Sequence, residues 1–397
     1  MNYIYSLFAN VSRMLVGFVA VVILSRYLDV VEFGKVTWWL LISTALGVIF
    51  DYGYTVYLSK EAKVGKYNEL ISSIKTKAVI VFLFFILFFF LYVFDEIDLY
   101  PILLILSFGF NSICGSFVIY LRVSNEFKKE SILVLFNNLL ILVFLFLFLS
   151  QNFAILALPL AFFLAKLLYL LYFLYDFRMV LKSVNHLESF RFLVQAKKVF
   201  PYFIQGFCGY LYINVDAVIM PAYVSESEVG YYQAASKIFF GTLLFIEVIN
   251  SVLIPKVSKM TLDKAIVSGF IKAANRNILM FGFVLSVLIY YFSGEIVFYA
   301  FGLEYELSIL YLKILVFVIF LRYVGVIYGL VITISGHQKF RSLSTICTLI
   351  LMTALCLILM PIYGVLGGLV SLIMSHLFIN SMYIIFCKKK FRELFIL

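Results

Sequence analysis

Residues 11–53 read VSRMLVGFVAVVILSRYLDVVEFGKVTWWLLISTALGVIFDYG. Two apolar runs, which we place in spans 4–25 and 36–57, flank one short polar connection whose only positive charges are Arg26 and Lys35. An apolar run of about 20 residues matches one helical crossing of a bilayer's hydrocarbon core. Working outward, the same pattern predicts further spans at 78–94, 101–121, 131–149, 153–175, 199–220, 231–253, 277–293, 307–333, 343–360 and 364–386.

The connections alternate in charge. Segments 58–77, 122–130, 176–198, 254–276, 334–342 and the tail 387–397 together hold 24 Lys and Arg, whereas the opposite set holds only Arg26 and Lys35. Positive residues are retained on the cytoplasmic side of an inner membrane, so the split predicts both termini in the cytoplasm and an even number of crossings.

Composition agrees. The chain is 64% hydrophobic and 13% charged, against roughly 25% charge in soluble domains. Its net charge of +10 is accounted for by orientation and anionic lipid headgroups, which removes the case for nucleic acid. The five cysteines form no CxxC pair and none falls in an outer connection, so neither disulfides nor a metal site is expected. The first apolar run lacks a basic leader and a small-residue cleavage site and reads as a retained span.

A division near residue 198 leaves six spans on each side, entering the membrane in the same sense, as parallel repeats do. We read 1–175 as an N-terminal lobe, 176–198 as a cytoplasmic amphipathic linker and 199–397 as a C-terminal lobe. A faint echo supports the repeat: Asp29-x-x-Glu32-x-Gly34 and Ser225-x-x-Glu228-x-Gly230 both occupy the first outer turn of their half. Two parallel six-helix lobes would enclose a cleft whose access alternates as they rock.

Eight ionisable residues lie inside the spans: Arg13, Asp51, Lys166, Asp216, Lys237, Glu247, Lys313 and Arg322. At roughly 2.5–3.5 kcal/mol each for a central position, facing lipid would cost on the order of 20 kcal/mol in sum. Most must face a wet cavity or one another, and the excess of cations favours an anion. Arg13 is near mid-span, and its guanidinium suits bidentate contact with phosphate. Its alternative role is an ion pair with a neighbouring helix. Lys237 either lines the cavity or snorkels outward; Arg322 and Lys166 line it or pair structurally; Lys313 reads as a boundary anchor. Asp51, Asp216 and Glu247 are candidates for charge pairing or for coupling to H⁺ or Na⁺. Tyr210 and Asn214 share a helical face and can serve either a sugar or helix packing. His376 is alone within a span, and no nucleotide loop, HExxH or GxSxG motif occurs.

The residues Ser12-Arg13, Ser25-Arg26-Tyr27-Leu28, Glu32-Phe33-Gly34 and Asp51-Tyr52-Gly53, with Asp216 and Val229-Gly230-Tyr231-Tyr232-x-Ala234-x-x-Lys237-Ile238, are similar to O-antigen and capsule repeat-unit flippases of the polysaccharide-exporter family. One departure is Asp29-Val30, where that family often has Gly-Pro. The resemblance implies an all-α, MATE-like integral membrane fold of twelve transmembrane helices in two lobes, located in the bacterial inner membrane. It implies an undecaprenyl-diphosphate-linked oligosaccharide as substrate, carried from the cytoplasmic to the periplasmic leaflet without cofactor or catalysis. An O-antigen polymerase and a chain-length regulator are the further partners it implies. Substrate contact falls first to Arg13 and Lys237, which match cavity cations of the family, then to Arg322 and Lys166. Two rivals remain: a multidrug cation antiporter of the same fold would want an acid where Arg13 stands, and an O-antigen polymerase would want a large basic outer loop.

Overall fold

The computed structural model describes residues 2–62, 67–179, 192–258 and 264–391, and these are helical with short turns. The helices are α1 Asn2–Ser25, α2 Val30–Asp51, α3 Tyr54–Glu61, α4 Asn68–Val93, α5 Leu99–Val123, α6 Phe127–Ser150, α7 Ala157–Asp176, α8 Phe192–Ile219, α9 Glu226–Ser258, α10 Lys264–Tyr291, α11 Ser293–Ala300, α12 Glu306–Ile334, α13 Gln338–Tyr363 and α14 Val365–Lys390. Among the described residues, eleven helical stretches are long and apolar enough to cross a membrane, and α1 adds the shorter apolar stretch Val11–Ser25. The chain is a multi-pass membrane protein. The amphipathic surface helix expected within 176–198 falls largely on 180–191, outside the described residues.

Local chemistry sets the helix ends. Asp29 caps α2, its Oδ1 accepting from the Glu32 amide at 2.7 Å. At the start of α9 the capping is reciprocal: the Glu228 amide donates to Ser225 Oγ at 3.4 Å and the Ser225 amide donates to Glu228 Oε2 at 3.1 Å. The sequence echo between the halves is therefore a shared way of starting the second long helix. Where α2 ends, Tyr52 and Gly53 adopt left-handed backbone, with φ of 48° and 78°. A Cβ on Gly53 would lie 2.5 Å from the Phe203 amide nitrogen of α8. Gly53→Ala therefore combines left-handed strain of about 1–2 kcal/mol with a backbone overlap. It is expected to lower both the yield and the melting temperature of detergent-solubilised protein, whereas Gly17→Ala, in open space, should change neither.

Packing divides the chain into two units, Met1–Tyr210 and Leu211–Leu397, the division falling inside α8. In the first unit α5 is the central helix, packed on α2, α4 and α7, while α6 packs on α1 and α7. In the second unit α12 is central, packed on α9, α10 and α14, while α13 packs on α14. The second, third, fourth and sixth long helices of each unit thus meet in the same order. Both units also bring their third and fourth long helices close through a glycine. A Cβ on Gly109 of α5 would lie 2.7 Å from Val81 of α4, and one on Gly282 of α10 would lie 2.5 Å from Tyr323 of α12. Small residues allow such approach where lipid offers no hydrophobic drive between helices. The outer faces of α4 and α10 expose Phe82, Phe90, Met280 and Phe283, an apolar surface suited to acyl chains.

Helix boundaries differ from the sequence expectation at one place that matters. Hydropathy predicts a connection over 58–77, yet Lys60 lies in α3 and Lys75 and Lys77 lie in α4. Lys77 is fully buried.

Candidate functional site

Four helices of the first unit surround a cavity of about 70 Å³. Arg13 comes from α1, Asn111, Cys114, Gly115 and Val118 from α5, Val134 and Asn137 from α6, and Lys166 and Tyr169 from α7. Arg13 and Asn111 are exposed, whereas Lys166, Asn137 and Tyr169 are buried. The cavity therefore runs from an open rim to a buried floor. At roughly 10–15 Å³ per water, it has room for a few waters or one phosphoryl-sized group.

The placement of Arg13 follows from its neighbour. Ser12 Oγ donates to the Ala9 carbonyl at 3.1 Å and accepts from Asn138 Nδ2 at 3.2 Å, which fastens α1 to α6. The Asn138 Oδ1 in turn accepts from Asn137 Nδ2 at 3.4 Å. That leaves Asn137 Oδ1 buried without a hydrogen-bond partner, and the Tyr169 hydroxyl is in the same condition. Lys166 Nζ stands 5.8 Å from the Tyr169 ring centroid, and no hydrogen bond or ion pair to it occurs among the described residues. Arg13 and Lys166 repel one another across the space. No carboxylate lines it. Two like charges, one of them an unanswered ammonium, and a Tyr169 hydroxyl free to donate make a site that an oxyanion would complete, while Asn137 Oδ1, which only accepts, calls for a donor such as water.

The candidate acids take other places. Asp51 forms an ion pair with Lys77 at 2.8 Å, and Lys77 also donates to the Ser112 carbonyl at 2.9 Å. The Asp51 carboxylate accepts from the Thr55 amide at 3.1 Å and the Thr55 hydroxyl at 2.6 Å, capping α3. This cluster ties α2, α3, α4 and α5 together, so Asp51 pairs charge within the first unit. Sequence reasoning missed Lys77 because the preceding basic run made it look like part of a loop. It also missed the bidentate contact of Arg122 with the fully buried Glu130, at 2.6–2.9 Å, which joins the end of α5 to α6. In the second unit Asp216 is buried, accepts a short hydrogen bond from the Tyr232 hydroxyl through Oδ2, and keeps Oδ1 without a partner. Glu247 is exposed on α9.

Lys237, on α9, is half-buried, and no hydrogen bond or ion pair joins it to another described residue. One turn earlier, Gln233 Nε2 is buried without an acceptor. Arg322, on α12, is half-buried, and the Tyr212 hydroxyl of α8 lies 3.2 Å from His376 Nε2. Lys313 stacks over Tyr290 at 5.6 Å, as an anchor does. Tyr210 donates to the Leu41 carbonyl at 2.9 Å and so serves helix packing. Of the four candidate cations, the structure brings Arg13 and Lys166 onto one cavity; Lys237 and Arg322 belong to the second unit.

Residues 1–261 match the family described as polysaccharide biosynthesis protein. The chain belongs to that family. Over 173 residues it is 26% identical to the probable low-salt glycan biosynthesis flippase Agl15 of Haloferax volcanii, a match spanning 42% of this chain and 36% of that protein. The chain thus matches about a third of the length of that curated relative. Among solved structures, the lipid II flippase MurJ in an inward closed conformation is similar, with a TM-score of 0.77, 16% identity and coverage of 98% of this chain and 89% of that one. A point mutant of the Vibrio cholerae MATE transporter VcmN is also similar, with a TM-score of 0.63, 14% identity and coverage of 99% and 97%. An outward-facing multidrug resistance MATE transporter of the MOP superfamily gives 0.65 at 14% identity, covering 99% and 95%. At these identities the likeness is one of fold, and that fold is MATE-like.

Proposed function

We propose that this chain is a flippase for lipid-linked oligosaccharides, and that the cavity of the first unit takes a phosphoryl oxygen cluster of the carrier's diphosphate between Arg13 and Lys166. The single observation that carries the reading is the meeting of these two cations, with the unanswered Lys166 ammonium, inside an apolar helical bundle. Membership of a polysaccharide biosynthesis family and a MATE-like fold support a transporter of glycan intermediates over an enzyme. In this account twelve helices cross the bacterial inner membrane, both ends are cytoplasmic, and the two six-helix halves rock to alternate access. The substrate is an undecaprenyl-diphosphate-linked O-antigen or capsule repeat unit, moved from the cytoplasmic to the periplasmic leaflet, with the polyprenyl tail left in lipid. Lys237 and Arg322 are the candidate substrate-contacting cations of the second unit, and a polymerase with its chain-length regulator receives the product. A H⁺ or Na⁺ gradient drives the cycle, with Asp216 the acid best placed to respond to it.

The cation-exporter reading is disfavoured by the same cavity: two positive charges and no lining carboxylate would repel an organic cation by Coulomb's law. The test is reconstitution of the full chain in liposomes with a fluorescent lipid-diphosphate oligosaccharide. Wild-type protein should bring the internal half of the label within reach of an added quencher, well above protein-free vesicles. Rates equal to protein-free vesicles, combined with extrusion of ethidium, would reverse the assignment.

A further inference from the structure

Three side chains of α1 and α6 form a relay whose direction is set from one end. The Ala9 carbonyl only accepts, so the Ser12 hydroxyl gives it its single proton, at 3.1 Å. Ser12 Oγ is then left to accept, and what it meets at 3.2 Å is the amino end of the Asn138 amide. Asn138 therefore turns its Oδ1 to Asn137, whose Nδ2 donates at 3.4 Å. The free end of the relay is Asn137 Oδ1, an acceptor on a residue that lines the cavity, 2% exposed and without a hydrogen-bond partner.

Arg13, Lys166 and Tyr169 line the same space, and none of them bonds to Asn137 Oδ1. An oxyanion held by the two cations sharpens the shortage, because its oxygens also accept and repel a bare amide oxygen beside them unless a hydrogen lies between. A diphosphate esterified at both ends keeps only strongly acidic oxygens and arrives with no proton to give. The donor must belong to what the diphosphate carries. In a sugar diphosphate the anomeric carbon bears the phosphate oxygen, so the substituent on the adjacent C2 is the nearest hydroxyl or amide N–H. Gly115 lines the same cavity with open space where a Cβ would stand, which leaves room for such a group.

Resting on the flippase reading above, we propose that Asn137 is a specificity-determining residue of this cavity: its Oδ1 accepts a hydrogen bond from the C2 substituent, hydroxyl or amide N–H, of the sugar joined to the diphosphate, and Ser12 and Asn138 are the positioning residues that keep its amide turned oxygen-first. Arg13 and Lys166 answer a charge that every lipid-linked glycan carries. Asn137 answers a group that differs between sugars. A site built to bond a substrate O–H or N–H rejects the analogue that lacks it, because its own buried acceptor is then left unpaired.

The test measures binding of three farnesyl diphosphate conjugates, carrying glucose, N-acetylglucosamine or 2-deoxyglucose, to the full chain in phosphatidylcholine nanodiscs. Wild-type protein should bind the 2-hydroxy compound, the 2-acetamido compound or both about tenfold more tightly than the 2-deoxy compound, and which of them is preferred identifies the donor. Asn137→Ala should bind all three alike, near the wild-type Kd for the 2-deoxy compound. Ser12→Ala removes no group from the cavity lining but frees the amides to turn over, and should cut the preference to about threefold or less. Arg13→Ala should weaken all three by one common factor and keep the preference. Equal wild-type affinity for the three, with Arg13→Ala still weakening each, overturns the proposal and makes water the partner of Asn137. A merely structural role would lower the melting temperature of Asn137→Ala and Ser12→Ala with the preference intact, and that result overturns it too. Should Asn137→Ala fail to fold, Ser12→Ala decides the matter. A preference that depends on Asn137 while Arg13→Ala leaves every Kd unmoved supports this residue and counts against the placement of the diphosphate, so the two readings fail separately.

Discussion

Arg13→Ala and Lys166→Ala are each expected to reduce export of surface glycan by at least about 30-fold while the protein still reaches the membrane in normal amount. Truncating one member of a desolvated charged contact costs about 2–5 kcal/mol, and each 1.4 kcal/mol is about tenfold. The two side chains approach the same space from α1 and α7, so their effects should be strongly non-additive: the double variant should be little worse than either single one. Arg13→Lys keeps the charge and loses the bidentate fork, and should retain part of the activity. Lys166→Ala breaks no hydrogen bond or ion pair among the described residues and relieves repulsion between like charges, so its loss of export reads as loss of substrate contact. Export assayed by surface polysaccharide blotting, alongside quantification of the tagged protein, separates these outcomes. Normal export in Arg13→Ala would remove the cavity from the mechanism.

The second large effect is on stability and concerns the Asp51–Lys77 pair. Asp51→Ala should cost on the order of 3–5 kcal/mol, because it strands a fully buried ammonium whose remaining partner is the Ser112 carbonyl. Lys77→Met should be milder: Asp51 is partly exposed and still accepts from the Thr55 amide and hydroxyl at the start of α3. The double replacement Asp51→Leu with Lys77→Met should recover most of the loss, since apolar groups of similar volume fill a buried ion-pair site at little cost. Melting of the solubilised protein, followed by the monodisperse fraction after heating, ranks the three variants. Equal loss in the two single variants and no recovery in the double would show that the pair does not hold the four helices together.

Much of this arrangement could be read from residue order. Apolar runs give the long helices because each must satisfy its own backbone in lipid, and cations inside them are conspicuous because they are expensive there, which is how Arg13, Lys166, Lys237 and Arg322 stood out. What residue order does not encode is which of them meet. Arg13 and Lys166 are brought together by α1 packing on α6 and α6 on α7, a tertiary fact that spacing along the chain cannot supply. Lys77 was hidden by its neighbours: a helix that continues out of the hydrocarbon layer carries its last turns through polar sequence, so hydropathy marks the layer and not the helix end. On α8 the singled-out Tyr210 serves packing on α2, while Tyr212, which was not singled out, reaches His376. A lone His in one span gave no sign that a tyrosine of another helix would meet its ring.

The most direct measurement is a structure of the full chain with a lipid diphosphate bound. Phosphoryl oxygens are expected within about 3 Å of both the Arg13 guanidinium and Lys166 Nζ, with the Tyr169 hydroxyl turned to the same group. A diphosphate held elsewhere in the protein, with an acyl chain between Arg13 and Lys166, would contradict it.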